Sequence, residues 1–213
     1  MSVTIEVVSD VICPWCYIGK RRLEKALAQL EPALSPRVAW LPFQLNPGMP
    51  REGLARAQYR VAKFGSAERS AALDARVAAE GRGEGIDFAF ARMQRTPNTF
   101  AAHQMIELAQ EEGVGAQVVE ALFRAYFEEA RDTGDPGVLK EVAIACALDP
   151  AKLEARWTDE AKAQRLAALE EELKALGIDG VPTFIIGRRY ALSGAQPPQT
   201  IAAAIRQAAA EAA

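Results

Sequence analysis

Two cysteines three positions apart, directly after an apolar run, constrain this chain more than anything else in it. They lie in VVSDVICPWCYIGKRR, at Cys13 and Cys16. The third cysteine in the 213 residues is Cys146, so there is no disulfide framework to place the pair in. The pair is a redox switch, part of a metal site, or two core residues.

Local pattern favours the first. VTIEVV (3–8) is short and β-branched, which predicts a strand. In CPWCYIGKRRLEKALAQL, Ile18, Leu23, Leu27 and Leu30 approximate a helical stripe, and Pro14 suits a first turn. A strand ending near Ser9 or Asp10 then delivers Cys13 to a helix N-terminus, where orphan N–H groups and the dipole favour a thiolate. Cys16 follows one turn later on the same face. An unperturbed cysteine is only ~3% thiolate at pH 7, whereas one lowered to pKa ~5 is almost fully ionised. Nucleophilicity falls with pKa, so the larger gain is a better leaving group and a more oxidising disulfide. Cys13 is the expected nucleophile and Cys16 the resolving thiol. Pro14 and Trp15 tune them; Trp15 adds no charge, so an intermediate reduction potential is expected. On paper Cys146 and His103 complete a Cys3His zinc set, but without paired spacing.

Downstream, RVAWLPFQL (37–45) predicts a second strand, with Pro42 at an edge or bulge. From 51 to 177 the signals are almost all helical. Asp135-Pro136 and Asp149-Pro150 each read as an N-cap followed by proline, and Asn98 as a similar start. Gly81, Gly83 and Gly85 suggest a loop. Leu166, Leu169, Leu173 and Leu176 form one apolar face of a helix that Gly177 can end. VPTFIIGRRYALSG predicts a hairpin around Gly187-Arg188, and QPPQTIAAAIRQAAAEAA a closing helix whose last residues fray. The order β-α-β, helical block, β-β-α predicts an α/β fold. Its four-stranded sheet belongs to a discontinuous domain (1–48 and 178–213), with an all-helical insertion subdomain at 49–177.

Val181-Pro182 precedes the third strand of that sheet. An X-Pro bond can be cis at modest cost; an ordinary trans turn proline is the alternative, and the cysteine pair tips the balance to cis. A cis-proline facing the pair would leave Val181 backbone groups open to an extended substrate. Val181, Thr183 and Trp15 are the candidate substrate-binding residues. Tyr17, Trp40 and Phe43 are expected in the core rather than a groove. Cys146 shares a stripe with Leu139 and Val142 and is expected buried and inert. His103 reads as a capping or packing residue, and Asp10, like Glu6, as a solvated acid at the strand end, although an acid near Cys16 could accept its proton.

CPWC after a first strand, a long helical insertion and VPTF before a hairpin resemble the DsbA-like branch of the thioredoxin superfamily. SDVICPWCYIGKRRLEKAL, FQLNP, NTFAAHQ and GVPTFIIGRRYALSGAQ are similar to its FrnE-like members. The resemblance implies a thioredoxin fold and thiol-disulfide oxidoreductase or disulfide isomerase activity. It also implies Cys13 and Cys16 as the redox-active pair and Pro182 as the catalytic cis-proline. Two features depart from relatives. The periplasmic members carry signal peptides, which MSVTIEVVSDV does not resemble, and some FrnE-like proteins carry a second cysteine pair where this chain has only Cys146.

The implied partners are protein or small-molecule thiols and disulfides, with glutathione a candidate redox partner and no bound cofactor or metal. Net charge is −3 with interspersed signs, which argues against nucleic acid. No run approaches the ~20 apolar residues of a membrane span. The expected compartment is the cytoplasm, where such a pair is more often catalytic than structural. Monomer and dimer are both open. The alternative function is a glutathione-dependent isomerase or transferase of the 2-hydroxychromene-2-carboxylate isomerase or kappa type. Those typically carry serine where Cys13 stands, which favours thiol-disulfide exchange. A non-enzymatic holdase is a third reading.

Overall fold

A computed structural model describes residues 3–211. The chain opens with β1 (Thr4–Ser9), α1 (Pro14–Leu27) and β2 (Arg37–Pro42). It continues through β3 (Leu54–Ala55), α2 (Arg56–Phe64), α3 (Ala67–Gly83), β4 (Arg95–Thr96), α4 (Phe100–Glu111) and α5 (Gly115–Phe127). Then come α6 (Pro136–Ala145), α7 (Pro150–Thr158) and α8 (Glu160–Ala175), and the chain closes with β5 (Thr183–Ile186), β6 (Tyr190–Ser193) and α9 (Pro198–Glu211).

The main sheet runs β2-β1-β5-β6. β1 pairs parallel with β2, Val7 opposite Trp40, and antiparallel with β5, Val7 opposite Phe184. This mixed sheet in β-α-β and β-β-α order is the thioredoxin fold. The central strand is covered on both faces: Ile5, Val7 and Val8 are all buried. Pro42 ends β2, an edge strand, where its missing N–H breaks no ladder. The β5–β6 turn has Gly187 at φ 59° and Arg188 at φ 56°, the double positive φ that a tight two-residue hairpin requires.

Asp135 and Asp149 cap α6 and α7 with side-chain bonds to first-turn N–H groups, and each is followed by Pro at the first helical position. Asn98 also caps, accepting from Phe100 N–H at 2.9 Å, although α4 begins two residues later.

Several expectations fail for identifiable reasons. β2 ends at Pro42, not residue 45, because the Gln44 and Leu45 N–H groups turn to the Glu170 and Asp10 carboxylates. β3 and β4 pair across the helical block with two residues each, too short for an alternation signal. The loop marked by Gly81, Gly83 and Gly85 opens later than expected: α3 runs through Gly81 to Gly83, the absent Gly81 Cβ is where the Phe88 ring sits, and the chain turns at Gly85 with φ 78°. Leu176 is 77% exposed, and the buried stripe of α8 is Leu166, Glu170 and Leu173. Cys146 is half-buried at the C-cap of α6 rather than fully buried. The fraying expected of the chain end reaches residues outside those described, while α9 is helical through Glu211.

α1 lies against α5 through aromatic rings. Tyr17 stacks on Phe123 with centroids 5.0 Å apart and on Phe127 at 6.2 Å, and Phe88, beyond α3, meets Phe127 edge-on at 5.2 Å. Tyr17, Trp40 and Phe43 are therefore core, as expected of them. Among the described residues no helix is long and apolar enough to cross a membrane.

Candidate redox site

Cys13 is the N-cap of α1, with extended backbone (φ −90°, ψ 112°). Its N–H donates to the Asp10 carbonyl at 3.0 Å, and its own carbonyl accepts from Cys16 N–H at 3.0 Å. Pro14 at the first helical position has no N–H, so it wastes no donor there. Cys16 is one turn inside the helix, and both thiols are free.

Val181-Pro182, far away in sequence, meets this helix start. The peptide is cis, and the Cys13 Sγ–H donates to the Val181 carbonyl at 3.6 Å. The backbone expected to be open is thus occupied on one side by the thiol itself. The Pro182 carbonyl accepts from Gly194 N–H at 2.7 Å, fixing the loop to the end of β6. Gly19, on the next turn of α1, makes the approach possible: a Cβ there would stand 2.9 Å from Pro182 Cγ. Thr183 is buried and donates through its hydroxyl to the Gly180 carbonyl at 2.8 Å. Trp15 is half-buried against the core edge.

The two thiols differ in environment. Burial pushes the Cys16 pKa well above the ordinary thiol value, reinforced by a hydrogen bond to Cys13 and by the proximity of its charge. Ser9 and the Asp10 backbone offset part of this. Cys146, elsewhere in the fold, is raised by burial alone.

Asp10 departs from the sequence reading. It is fully buried rather than solvated, and its carboxylate accepts from Leu45 N–H at 2.8 Å and Ile12 N–H at 3.4 Å. A buried carboxylate needs such donors to offset lost hydration. His103, also buried, places Nε2 at 3.6 Å from Asp10 Oδ1, and that nitrogen makes no hydrogen bond. The pair sits directly behind the cysteine helix start. The apolar residues on both sides of Ser9-Asp10 were the only sequence signal of its burial. Among the described residues no three His, Cys, Asp or Glu side chains are grouped to hold a metal ion.

Residues 4–206 match the family of DSBA-like thioredoxin domains. The structure is similar to that of a probable DsbA oxidoreductase from Streptomyces coelicolor, SCO1869. Identity is 33% and TM-score 0.88, over 98% of this chain and 91% of that one. A 2-hydroxychromene-2-carboxylate isomerase shares the fold at TM-score 0.72 and 15% identity, over 98% of this chain and 97% of that one. So does the cytosolic disulfide reductase DsbM from Pseudomonas aeruginosa, solved with glutathione, at TM-score 0.67 and 21% identity, over 96% and 98% of the two chains. Both of these likenesses are in fold alone. With its family match spanning nearly the whole sequence, this chain belongs to the DSBA-like thioredoxin domain family.

Proposed function

We propose that the protein exchanges disulfides through Cys13 and Cys16. The observation that carries this reading is the meeting of Cys13 Sγ with the Val181 carbonyl across the cis Val181-Pro182 loop. A thiol at a helix N-cap can attack a sulfur, and once Cys13 is in a mixed disulfide its thiol no longer donates to the Val181 carbonyl, which can then hold the substrate alongside.

In the reducing direction, the Cys13 thiolate attacks a substrate disulfide. An S–S bond forms to Cys13 as the substrate S–S bond breaks, and one substrate sulfur leaves as thiolate. Cys16 then loses its proton and attacks Cys13 sulfur, releasing the second substrate thiol. The substrate gains two electrons and the protein is left with a Cys13–Cys16 disulfide. The reverse sequence oxidises a dithiol. Pro182 and Val181 position the substrate, Pro14 and Trp15 set the environment of the pair, and Thr183 steadies the loop through Gly180. Glutathione is the proposed partner that returns the pair to its starting state, and the cytoplasm the proposed compartment. Both are in keeping with the description of the similar DsbM.

Insulin reduction and dithiol oxidation test this with wild type and Cys13→Ser. Loss of both activities in the variant is expected, and equal rates would end the proposal. Chromene carboxylate turnover that survives Cys16→Ser would favour the isomerase reading instead.

A further inference from the structure

A cleft of about 100 Å³ opens beside the cysteine helix start. Ile12 and Pro14, the two neighbours of Cys13, form part of its wall. Facing them are Arg56, Arg60 and Lys63, spaced along α2. No residue of α2 is fully buried, but the Arg56 and Arg60 side chains are largely covered, with 14% and 16% of their surface exposed.

Their charge is poorly compensated. Arg56 and Arg60 share a single carboxylate, Asp74, at 2.7 and 2.6 Å. Among the described residues Lys63 reaches only neutral oxygens, Asn46 Oδ1 at 3.1 Å and Tyr59 OH at 2.7 Å. Asp10, behind Ile12, has its oxygens turned to backbone N–H groups. Three cations thus face one carboxylate in a chain whose net charge is −3. The guanidiniums are also held in place: Arg56 lies 5.4 Å over the Phe90 ring and Arg60 4.4 Å over Phe64. Burial chiefly, and the neighbouring Arg56 charge, push the Arg60 pKa below its ordinary value, and the Asp74 carboxylate offsets only part of this. Arg60 spends Nε on Ser70 Oγ at 2.7 Å and Nη2 on the Ser70 carbonyl at 3.0 Å and on Asp74, so an incoming carboxylate would meet its Nη1 together with Arg56 and Lys63.

We propose that this cleft is a carboxylate subsite, which takes the acidic group of a thiol or disulfide substrate whose sulfur reaches Cys13. The proposal rests on the exchange reading above. The wall residues Ile12 and Pro14 adjoin Cys13 in the chain, so a substrate with a short spacer between sulfur and acid suits the cleft.

The test is a charge series of small disulfides: bis(2-carboxyethyl), bis(2-hydroxyethyl) and bis(2-aminoethyl) disulfide. Each kcat/KM is normalised to the rate with free dithiothreitol. The acid is expected to lead the alcohol by about tenfold, the size of one charge-assisted hydrogen bond, with the amine last. The lead should collapse at about 0.5 M salt and shift toward the amine in Lys63→Glu, an exposed position. Peptide disulfides with Glu or Gln beside the cysteine separate the two sources of the acid. A preference confined to peptides assigns an acidic peptide, and one shared by both series a carboxylate of any carrier. No preference in either series overturns the subsite. Binding of 3-(methylthio)propanoate against 3-(methylthio)propan-1-ol, read from amide shifts at Ile12 and Lys63, needs no turnover. Selective binding of the acid without any exchange would refute the exchange reading and leave the subsite standing; no selective binding and no preference would refute the subsite.

Discussion

Cys16 has a proton problem. Only 1% of its surface is exposed, and burial is the largest of the causes that raise its pKa. Once Cys13 is in a mixed disulfide, the contributions of its thiol and charge vanish, but burial remains. Resolution must therefore wait for Cys16 to ionise, and the thiolate fraction below a thiol pKa falls ~tenfold per pH unit. The resolving rate in single-turnover stopped flow is expected to climb with pH through and beyond the ordinary thiol range, near 9.0. A mixed disulfide should accumulate below it. A resolving rate flat from neutral to alkaline pH would contradict this. At this scale the sequence was readable where one short segment carries the whole signal. CPWC and VPTF announced their thiols and their proline, and the structure brings Cys13 and Val181 into contact. The approach of His103 to Asp10 had no such signal, because neither residue carries a period or a spacing that points to the other.

Between elements, the closest tolerance in the site is α1 against the Pro182 loop. A Cβ on Gly19 would stand 2.9 Å from Pro182 Cγ and 3.2 Å from Phe184 Cζ, and Phe184 is fully buried with no room to retreat. Replacing a mid-helix glycine by alanine would ordinarily gain about 1 kcal/mol. Overpacking costs roughly 1–3 kcal/mol, so Gly19→Ala is expected to lose about 1 kcal/mol net. Pro182 would also be displaced from Cys13, so exchange should fall more than stability does. Urea unfolding alongside the exchange rate checks this; a variant more stable and fully active would refute the packing argument. Elements whose ends are encoded locally were legible in the same way. Asp135 and Asp149 bond to their own first turns, and Gly187-Arg188 makes its own hairpin turn. What was missed depends on distant partners. The Phe88 ring lets α3 run through Gly81, and the Gln44 N–H draws Glu170 into an otherwise apolar stripe.

Across the whole molecule, α1 is joined to the helical segment by charge as well as by rings. Lys20 and Arg21 hold Glu120 of α5 at 2.6 and 2.5 Å, and Arg22 and Lys25 hold Glu84, just beyond α3, at 2.6 Å each. Lys20 is buried, so its ammonium depends on those partners. Burial alone would raise the Glu120 carboxyl, but hydrogen bonds from Lys20 and Arg21 more than offset it and hold the pKa below 4.5. Glu84 is lowered the same way, with burial outweighed by Arg22 and Lys25. A carboxyl depressed in the folded state is more protonated in the unfolded chain at the same pH. Its stabilisation is therefore complete above the unfolded value near 4.5 and is lost as pH falls through the lower folded value. The urea midpoint should stay level from pH 7 to about pH 5 and drop below that. Glu120→Gln is expected to cost about 2 kcal/mol at neutral pH, the worth of a hydrogen bond to a charged group. It should also make the acid-side fall shallower, because one of the titrating groups is gone. The slope does not vanish, since Glu84 and Glu111 titrate in the same direction. A variant whose midpoint falls with acid as steeply as wild type would show that the α1–α5 charge contact does not hold the two parts together.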